Sequence, residues 1–346
     1  MKLTFKYRIK DSSKLKTLHR LASSVNFVWN YCNEVSVKQL DLNGKFLSKF
    51  DLNKLTSGCS SALNLHSQTV QAVCEEYANK RFQFKKRKLN WRSYKKSLGW
   101  IPFKKVGVKV NNDSITFCKQ KFRFWKSRNH GVVKCGSFCQ DSKGRWYVNL
   151  VCEVAIEKRK KTNKQIGIDL GLKTIATCSD GKTIERENIT KKYEQKLASA
   201  QRANKKRLTV SIHAKIKNVR KDFNNKSTTE LIKQNDVIVI GNVSSSKLKK
   251  TNMAKSVSDA GWFDFKSMLE YKAVRFGVDF KEVNESFSTV TCSKCLNKTK
   301  QLSGLSTLGV REWTCEHCKT FHNRDVNAAI NILRTGHCAP KGICLL

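Results

Sequence analysis

The chain has 346 residues, of which 68 are Lys or Arg and 27 are Asp or Glu, so its formal net charge is +41. A surplus of this size repels itself unless a polyanion neutralises it, and an enzyme acting on small acidic substrates does not need it, so nucleic acid is the expected partner. Hydrophobic residues make up 39% of the chain, which is enough to build cores and excludes a disordered basic tail.

No segment of the sequence is suited to crossing a membrane. The longest purely apolar stretches, such as residues 237–240, are far shorter than the roughly 20 residues that a spanning helix needs. The N-terminal residues mix apolar and charged side chains, unlike a signal peptide. Ten of the fourteen cysteines are scattered without pairing, which is typical of a reducing compartment. We therefore expect a cytoplasmic protein without a membrane partner.

The N-terminal region predicts a strand followed by helices. Residues 2–9 roughly alternate apolar and basic side chains, which indicates a strand. Asp11 and Ser12 are candidate N-caps for a helix whose apolar stripe comprises Leu15, Leu18, Ala22, Val25, Trp29 and Cys32. A second helix is predicted over residues 67–84, with a buried side formed by Val70, Val73, Cys74, Tyr77 and Phe84.

Residues 80–105 form the segment best suited to binding phosphates. They contain eleven Lys or Arg, no acid and six aromatic residues. Basic side chains can follow a phosphate backbone while exposed rings stack on bases. The alternative is a solvated basic face whose aromatic rings belong to the core, but the net charge of +41 favours the nucleic-acid interpretation.

The middle of the chain predicts a small antiparallel β-domain, and the second half predicts an α/β sheet. Short β-type runs separated by turn signals cover residues 107–156, and the charged residues 157–164 mark a boundary. The second half then follows the order strand, strand, strand, helices, strand, helix, strand. Mixed strands with later crossover helices indicate an α/β sheet with helical insertions.

Two CxxC pairs are the strongest local motif. Cys292 and Cys295 are followed, after nineteen residues, by Cys315 and Cys318. This spacing matches a zinc ribbon, in which four thiolates complete a tetrahedron around the ion. Because protein ligands fill all four positions, we expect a structural zinc ion. Four unrelated thiols, or a redox pair plus coincidence, would be the alternative.

Two aspartates are candidate ligands of a catalytic metal. Asp169 lies within the otherwise buried strand IGIDLG, where an ionised carboxylate is costly unless it is paired or binds a metal. Asp325 opens a predicted helix in HNRDVNAAINIL. Each has a simpler alternative, since Asp169 stands near Gly171 and could close a turn, and Asp325 could answer the helix dipole.

Taken together, five features resemble the TnpB (OrfB) family of transposon-encoded, RNA-guided DNA endonucleases related to type V CRISPR effectors. They are IGIDLGLKTIA, the basic helices containing RKDFNNKS, DVIVIGNVSSSKL, the four cysteines and HNRDVNAAINIL. The resemblance covers nearly the whole chain and is most specific over residues 167–333. It implies a multidomain α/β protein with a small β-domain: an RNase H-like RuvC nuclease domain with an inserted zinc ribbon, and a helical recognition lobe inserted in a β-barrel wedge domain.

The resemblance also implies domain boundaries. These are residues 1–10 for the first wedge strand, 11–106 for the helical lobe, 107–160 for the wedge domain, 161–290 for the first part of the RuvC domain with its helical insertion at 190–234, 291–320 for the zinc ribbon, 321–335 for the last RuvC helix and 336–346 for a tail.

Carried over residue by residue, the resemblance assigns two of the three RuvC carboxylates. Asp169 matches the first and Asp325 the third, while Gly241 stands where the family usually has a glutamate. The next strand in the sequence ends in VDFKEVNES. In an RNase H-like sheet, which the resemblance implies, the carboxyl end of this strand lies beside that of the strand carrying Gly241. We therefore predict that Glu285 replaces the missing ligand, with Glu282 as the alternative, although period-two alternation puts Glu282 on the opposite face.

The implied mechanism is phosphodiester hydrolysis at two Mg²⁺ ions held by Asp169, Glu285 and Asp325. The implied partners are a guide RNA from the transposon end and a DNA target that carries a short adjacent motif. A prokaryotic, nucleoid-associated protein fits this function, and so does a monomer. Candidate nucleic-acid contacts are Lys85, Lys86, Arg87, Lys88, Trp91, Arg92, Tyr94, Lys95, Lys96, Arg123 and Lys126.

Three other functions remain open from the sequence. A repressor would bind guided DNA without cutting it, because its RuvC site lost the glutamate. A transposase would join DNA ends without RNA. A plain zinc-ribbon nucleic-acid-binding protein explains the cysteines and the charge but gives Asp169 and Asp325 no role.

Overall fold

The computed structural model divides the chain into two units, Met1–Val154 and Ala155–Leu346. The described residues are 1–157, 159–172, 174–185, 189–243, 260–299, 302 and 309–338.

Four helices of the first unit pack around the apolar stripe that the sequence predicts. Leu18, Val25 and Cys32 of the first helix are fully buried. This helix begins at Leu15 without a side-chain cap, so the predicted caps are wrong, and Asp11 instead pairs with Arg8 at 3.0 Å. The helices are α1 (Leu15–Asn43), α2 (Lys49–Leu55), α3 (Cys59–Ala62) and α4 (Ser67–Phe84).

The β-structure of the first unit consists of two antiparallel sheets with an aromatic core. One sheet has the order β1-β7-β6-β2 and the other β3-β4-β5. Strand β2 lies within the range predicted for the helical lobe, yet it pairs with β6. The strands are β1 (Lys2–Arg8), β2 (Trp100–Lys104), β3 (Val108–Val110), β4 (Ser114–Phe117), β5 (Gln120–Arg123), β6 (Val132–Gln140) and β7 (Trp146–Glu153). Rings of Tyr7, Phe103, Phe117, Phe122, Phe124 and Phe138 are buried among them.

The second unit is built on a five-stranded mixed sheet of order β10-β9-β8-β11-β12. The predicted succession of three strands, helices, strand, helix and strand is confirmed. The elements are β8 (Gln165–Leu170), β9 (Thr174–Cys178), β10 (Thr183–Glu185), α5 (Ile189–Arg202), α6 (Lys206–Gln234), β11 (Val237–Gly241), α7 (Trp262–Phe276), β12 (Asp279–Val283), β13 (Glu312–Thr314), β14 (Phe321–Asn323) and α8 (Arg324–Cys338).

Successive residues of β11 pack alternately against helix α7 and helix α8. Ile238 and Ile240 of β11 share a core with Phe265 of α7, whereas Val239 shares another with Ile332 of α8. Helix α8 approaches β8 closely at Gly167, where a β-carbon would overlap the carbonyl oxygen of Ala329. A larger residue at this position would push α8, and Asp325 with it, away from the strand that carries Asp169.

Candidate metal centres and nucleic-acid interface

The carboxyl ends of three parallel strands meet at one edge of the sheet in the second unit. Strand β11 runs parallel to β8 with Ile240 opposite Ile168, and parallel to β12 with Gly241 opposite Val283. Continuing the register by one residue puts Gly241 beside Asp169. The sheet therefore gathers at this edge the residues that follow each strand.

Glu285 fills the space that the missing side chain of Gly241 leaves. It follows β12 by two residues, and its Oε2 lies 2.5 Å from the position that a β-carbon on Gly241 would take. This oxygen is buried and has no hydrogen-bond partner, and burial raises the pKa of Glu285. A buried carboxylate oxygen without a donor is costly, so it calls for a cation.

Asp169 is half-buried and experiences the charges of the other two acids. Burial is the largest cause that raises its pKa to about 8, followed by the charges of Glu285 and then Asp325. The charges of Glu285 and Asp325 thus act on Asp169, while those of Arg324 and Arg311 lower its pKa in the opposite sense. Such a set suits a divalent cation with oxygen ligands, which would neutralise the repulsion.

Asp325 lies in the first turn of α8 and is held there by two neighbours. The Asn323 side-chain oxygen accepts hydrogen bonds from the backbone N–H groups of Asp325 and Val326, at 3.1 and 3.2 Å. Arg311 Nη1 donates to both carboxylate oxygens of Asp325, each at 2.9 Å. Sequence reasoning missed Arg311, since one arginine among many basic residues carries no signal of its own.

Glu282, the alternative ligand, lies on the other face of β12. It is exposed and pairs with Lys266 of α7, Nζ to Oε1, at 2.6 Å. The structure thus brings Glu285 toward Asp169 and Asp325, and directs Glu282 toward α7.

The four cysteines converge as their spacing predicts. Cys292, Cys295, Cys315 and Cys318 place all their sulfur atoms within 4.8 Å of one another, an arrangement that could hold a zinc ion. Among the described residues no other set of three or more ligand side chains is this close, and the three acids are therefore more widely spaced. His322, which the sequence analysis did not single out, lies with Nε2 3.0 Å from Cys292 Sγ. Its ring can donate a hydrogen bond to a metal-bound thiolate.

Two asparagines of α8 connect the cysteine cluster to the sheet edge that carries Asp169, Glu285 and Asp325, which we call the acidic edge. Asn327 Nδ2 donates to the carbonyl oxygen of Thr291 at 2.8 Å, and its Oδ1 accepts from the N–H of Ser293 at 2.8 Å. Asn331 Nδ2 donates to the carbonyl oxygens of Ser288 and Thr291 at 2.9 and 2.7 Å. The turn that begins at Glu285 and ends at the first cysteine pair is thus fixed to the helix that carries Asp325.

The basic segment of the first unit exposes most of its aromatic rings. Phe82, Phe84, Trp91 and Tyr94 are 83, 54, 50 and 67% exposed, whereas Phe103 is buried. The prediction that Phe84 lies on the buried side of α4 is therefore wrong. Ten candidate contact residues are exposed, and one, Arg92, is half-buried; the exposed ones are Lys85, Lys86, Arg87, Lys88, Trp91, Tyr94, Lys95, Lys96, Arg123 and Lys126.

Two family models match the chain, and both fall mainly in the second unit. Residues 149–252 match the IS605 OrfB family, described as "Probable transposase", and residues 262–332 match the TNB domain of the Cas12f1-like family. The second match contains the cysteine cluster, Glu285 and Asp325. The resemblance that the sequence motifs indicated is therefore confirmed.

Curated relatives carry names that agree with these matches. A protein of Streptomyces pristinaespiralis named "Putative RNA-guided DNA endonuclease" is 36% identical over 57% of this chain and 51% of its own length. The protein of Escherichia coli K12 named "Putative RNA-guided DNA endonuclease InsQ" is 28% identical over 67% of this chain and 64% of its own length. The chain thus spans less than two thirds of the length of either relative.

Solved structures show a related fold at low identity. The structure titled "Structure of the mini-RNA-guided endonuclease CRISPR-Cas_phi3" has a TM-score of 0.52, is 10% identical and covers 97% of this chain and 92% of that chain. Within the described ranges, no helix combines the length and apolar character needed to span a bilayer.

Proposed function

We propose that this chain, which carries the motifs of the TnpB (OrfB) family and matches the IS605 OrfB and Cas12f1-like TNB models, is an RNA-guided DNA endonuclease. The observation that carries the proposal is the position of Glu285. Its carboxylate occupies the space beside Gly241 where a glutamate side chain would otherwise begin. A nuclease site with a relocated ligand explains why the carboxylates of Asp169 and Glu285 are buried although burial raises the pKa of both, and why the charge of Asp325 acts on Asp169.

The finer domain assignments are part of the same proposal. The strand order β10-β9-β8-β11-β12, with β11 and β12 parallel to β8, supports an RNase H-like RuvC domain. The antiparallel sheets of the first unit support a wedge domain, and α1–α4 support a helical recognition lobe. The boundaries predicted from the sequence, with a ribbon at 291–320 and a final helix at 321–335, belong to the proposal too.

The donor sets fit two kinds of metal. Four clustered thiols suit a structural zinc ion, and three carboxylates with an orphaned buried oxygen suit Mg²⁺. When bound, two Mg²⁺ ions would supply a water nucleophile of lowered pKa and Lewis-acid stabilisation of the leaving 3′ oxygen.

Each acid has a distinct task in this proposal. Asp169 presents its carboxylate from near the end of the middle strand, β8, and its pKa is raised to about 8 by burial and by the charges of the other two acids. Glu285 supplies the ligand that Gly241 lacks. Asp325, which pairs with the guanidinium of Arg311 here, would hold a metal ion in its place, and Arg311 would then be available to contact a substrate phosphate.

The partners follow from charge and from the resemblance. A guide RNA would offset much of the net charge of +41, and base pairing of that RNA would select the DNA target. The exposed rings and cations of the basic segment are available for contacts with RNA, heteroduplex or the target-adjacent motif.

The decisive experiment is plasmid cleavage by protein co-expressed with the DNA that flanks its own gene. Wild type is expected to cut a matched plasmid in Mg²⁺, and Glu285→Ala is expected to lose about 1000-fold in rate, equivalent to about 4 kcal/mol. Adding Gly241→Glu to Glu285→Ala returns a carboxylate to the vacated space, and part of the activity should return.

Glu282→Ala is the matched control, because it removes a glutamate from the same strand region but on the opposite face. We expect it to cut like wild type. Loss of cutting in Glu282→Ala with survival in Glu285→Ala would reverse the assignment. A wild type that binds guided DNA and never cuts it would be a repressor, and DNA joining without RNA would indicate a transposase.

A further inference from the structure

The first unit contains a cleft of about 520 Å³ that concentrates aromatic and basic groups. Three of the seven tryptophans of the chain, Trp29, Trp91 and Trp100, line it. Lys80, Lys86 and Arg92 also contribute. Glu76 is the one acid among the lining residues, all of which the structure describes, and it lies 3.8 Å from Lys80.

Side chains of α1 fix the backbone that forms one wall of this cleft. Asn33 donates to the carbonyl oxygen of Leu89 at 2.8 Å and accepts from its N–H at 3.1 Å. Asn30 pairs with the backbone of Arg92 in the same way, at 2.8 and 2.9 Å. The side-chain amides of Asn30 and Asn33 bond this backbone as a neighbouring strand would. They hold a segment without regular secondary structure in one conformation, so the cleft is preorganised.

The rings of the cleft differ in what covers them. Trp29 is nearly buried, and its Nε1 donates to the carbonyl oxygen of Asn90. The Arg92 guanidinium lies 5.5 Å from the ring centroid of Trp100. Trp91 is 50% exposed, with Lys88 Nζ 5.1 Å from its centroid. Among the three tryptophans, Trp91 is therefore the one with free surface and an adjacent cation, whereas Trp29 and Trp100 form the floor; Phe84, 54% exposed with Lys80 Nζ 5.8 Å from its centroid, offers a smaller ring on the same cleft.

We propose that this cleft binds one unstacked nucleobase of a single strand. The base stacks on Trp91, and its flanking phosphates contact Lys86 and Lys88. A flat aromatic base flanked by negatively charged phosphates matches an exposed indole with lysines nearby, whereas an apolar peptide or lipid tail would leave those cations unpaired. This inference rests on the proposed function and adds a specific site to it. Guide RNA and single-stranded DNA offer the same chemistry, so the test includes both.

The test is fluorescence anisotropy with the full chain and labelled oligoadenylates about eight nucleotides long, one of RNA and one of DNA. Trp91→Ala should weaken binding about tenfold. Trp91→Phe should retain most of the affinity because it keeps a stacking face. Trp125→Ala is the control, since Trp125 is a 60% exposed ring outside the cleft with Lys10 Nζ 4.6 Å from its centroid, and it should change affinity less than twofold.

The salt dependence separates stacking from charge. Trp91→Ala should leave the slope of log affinity against log salt unchanged, whereas Lys86→Ala combined with Lys88→Ala should reduce its magnitude by about 1.4, since each phosphate contact of a single strand contributes about 0.7. The RNA and DNA arms identify the preferred strand. Equal losses in Trp91→Ala and Trp125→Ala would overturn the cleft while leaving the endonuclease proposal intact. If wild type bound neither oligonucleotide, the cleft proposal would be refuted, while the endonuclease proposal would still be decided by plasmid cleavage.

Discussion

The cysteine cluster and the acidic edge of the second unit are assembled in opposite ways. The four cysteines come from two short turns, each with both ligands of a pair three residues apart, and their sulfur atoms already lie within 4.8 Å of one another. The three acids come from separate elements, β8, the segment after β12 and the start of α8. These acids repel one another, since the charges of Glu285 and Asp325 both raise the pKa of Asp169.

Whether a site can be recognised from residue spacing depends on how far apart its ligands lie in the sequence. A site whose ligands are neighbours in the chain leaves a local signature, and the ribbon could be predicted from that alone. A site whose ligands meet only through sheet register leaves separate residues, each with a simpler explanation. Glu285, which we propose as the relocated ligand, belongs to the second kind, because it follows β12 whereas Gly241 ends β11.

The largest effect is expected from removing one ligand of the ribbon. Cys315→Ser should abolish zinc binding and unfold the ribbon, because structural zinc contributes an apparent 10 to 16 kcal/mol in isolated fingers, about as much as a whole domain. Metal analysis should find about one zinc per wild-type chain and none in the variant, and limited proteolysis should cut the variant near the cysteines. Cys59→Ser, which changes a cysteine of the first unit, should retain the zinc. Full zinc content in Cys315→Ser would refute the predicted ligand set.

The acidic edge should respond in the opposite sense to loss of a ligand. Asp169→Asn should reduce cleavage by about 1000-fold yet stabilise the metal-free protein. The pKa of Asp169 rises from 3.8 to about 8 on folding, so between these values the folded protein keeps a proton that the unfolded chain has released. Stability of the metal-free wild type therefore falls as pH rises from about 4 to 8, and the variant lacks this decline.

Thermal unfolding measures the difference in stability between Asp169→Asn and wild type. The buffer contains no magnesium, and no EDTA either, so that the zinc stays in place. We expect the variant to be more stable at pH 8 by about 2 kcal/mol, allowing for solvent screening of a half-buried group. The two proteins should be nearly equal at pH 4. Mg²⁺ should raise the melting temperature of wild type alone. A variant that is less stable than wild type at pH 8 would show that Asp169 is a structural residue.

The sequence predicted more of the fold than of the site. Helix α4 has the predicted bounds, since apolar periodicity fixes them, whereas the predicted caps of α1 and the predicted burial of Phe84 were wrong because local signals do not report tertiary packing. The choice between Glu285 and Glu282 needed the face of β12, which alternation indicated. Arg311, His322 and Asn327 were missed, since their roles exist only where separate segments meet.

Asn327 lies between the two regions and tests whether they are coupled. Asn327→Leu keeps the approximate volume but leaves the N–H of Ser293 and the carbonyl oxygen of Thr291 without these partners. A cost of about 2 kcal/mol is expected, with faster release of zinc to a chelator and a higher Mg²⁺ requirement for cleavage. Asn225→Leu, the same change on the exposed side of α6, should alter none of these. If zinc release quickens while the Mg²⁺ requirement stays fixed, the two regions are independent.

The smallest change distinguishes a relocated ligand from a glutamate that lies beside Gly241 by chance. Gly241→Ala adds a β-carbon 2.5 Å from Glu285 Oε2, and because a carboxylate at the end of a flexible side chain can rotate away, stability should fall by less than about 1 kcal/mol. The rotation moves the carboxylate from the position facing Asp169, so cleavage should slow about tenfold and the Mg²⁺ dependence should shift upward. Gly181→Ala, in a turn with no atom near the added carbon, controls for general loss of glycine, although its positive φ adds some strain of its own.

If Gly241→Ala cuts as fast as wild type at every Mg²⁺ concentration, the carboxylate of Glu285 does not act from the position it holds here. The second ligand must then come from another residue.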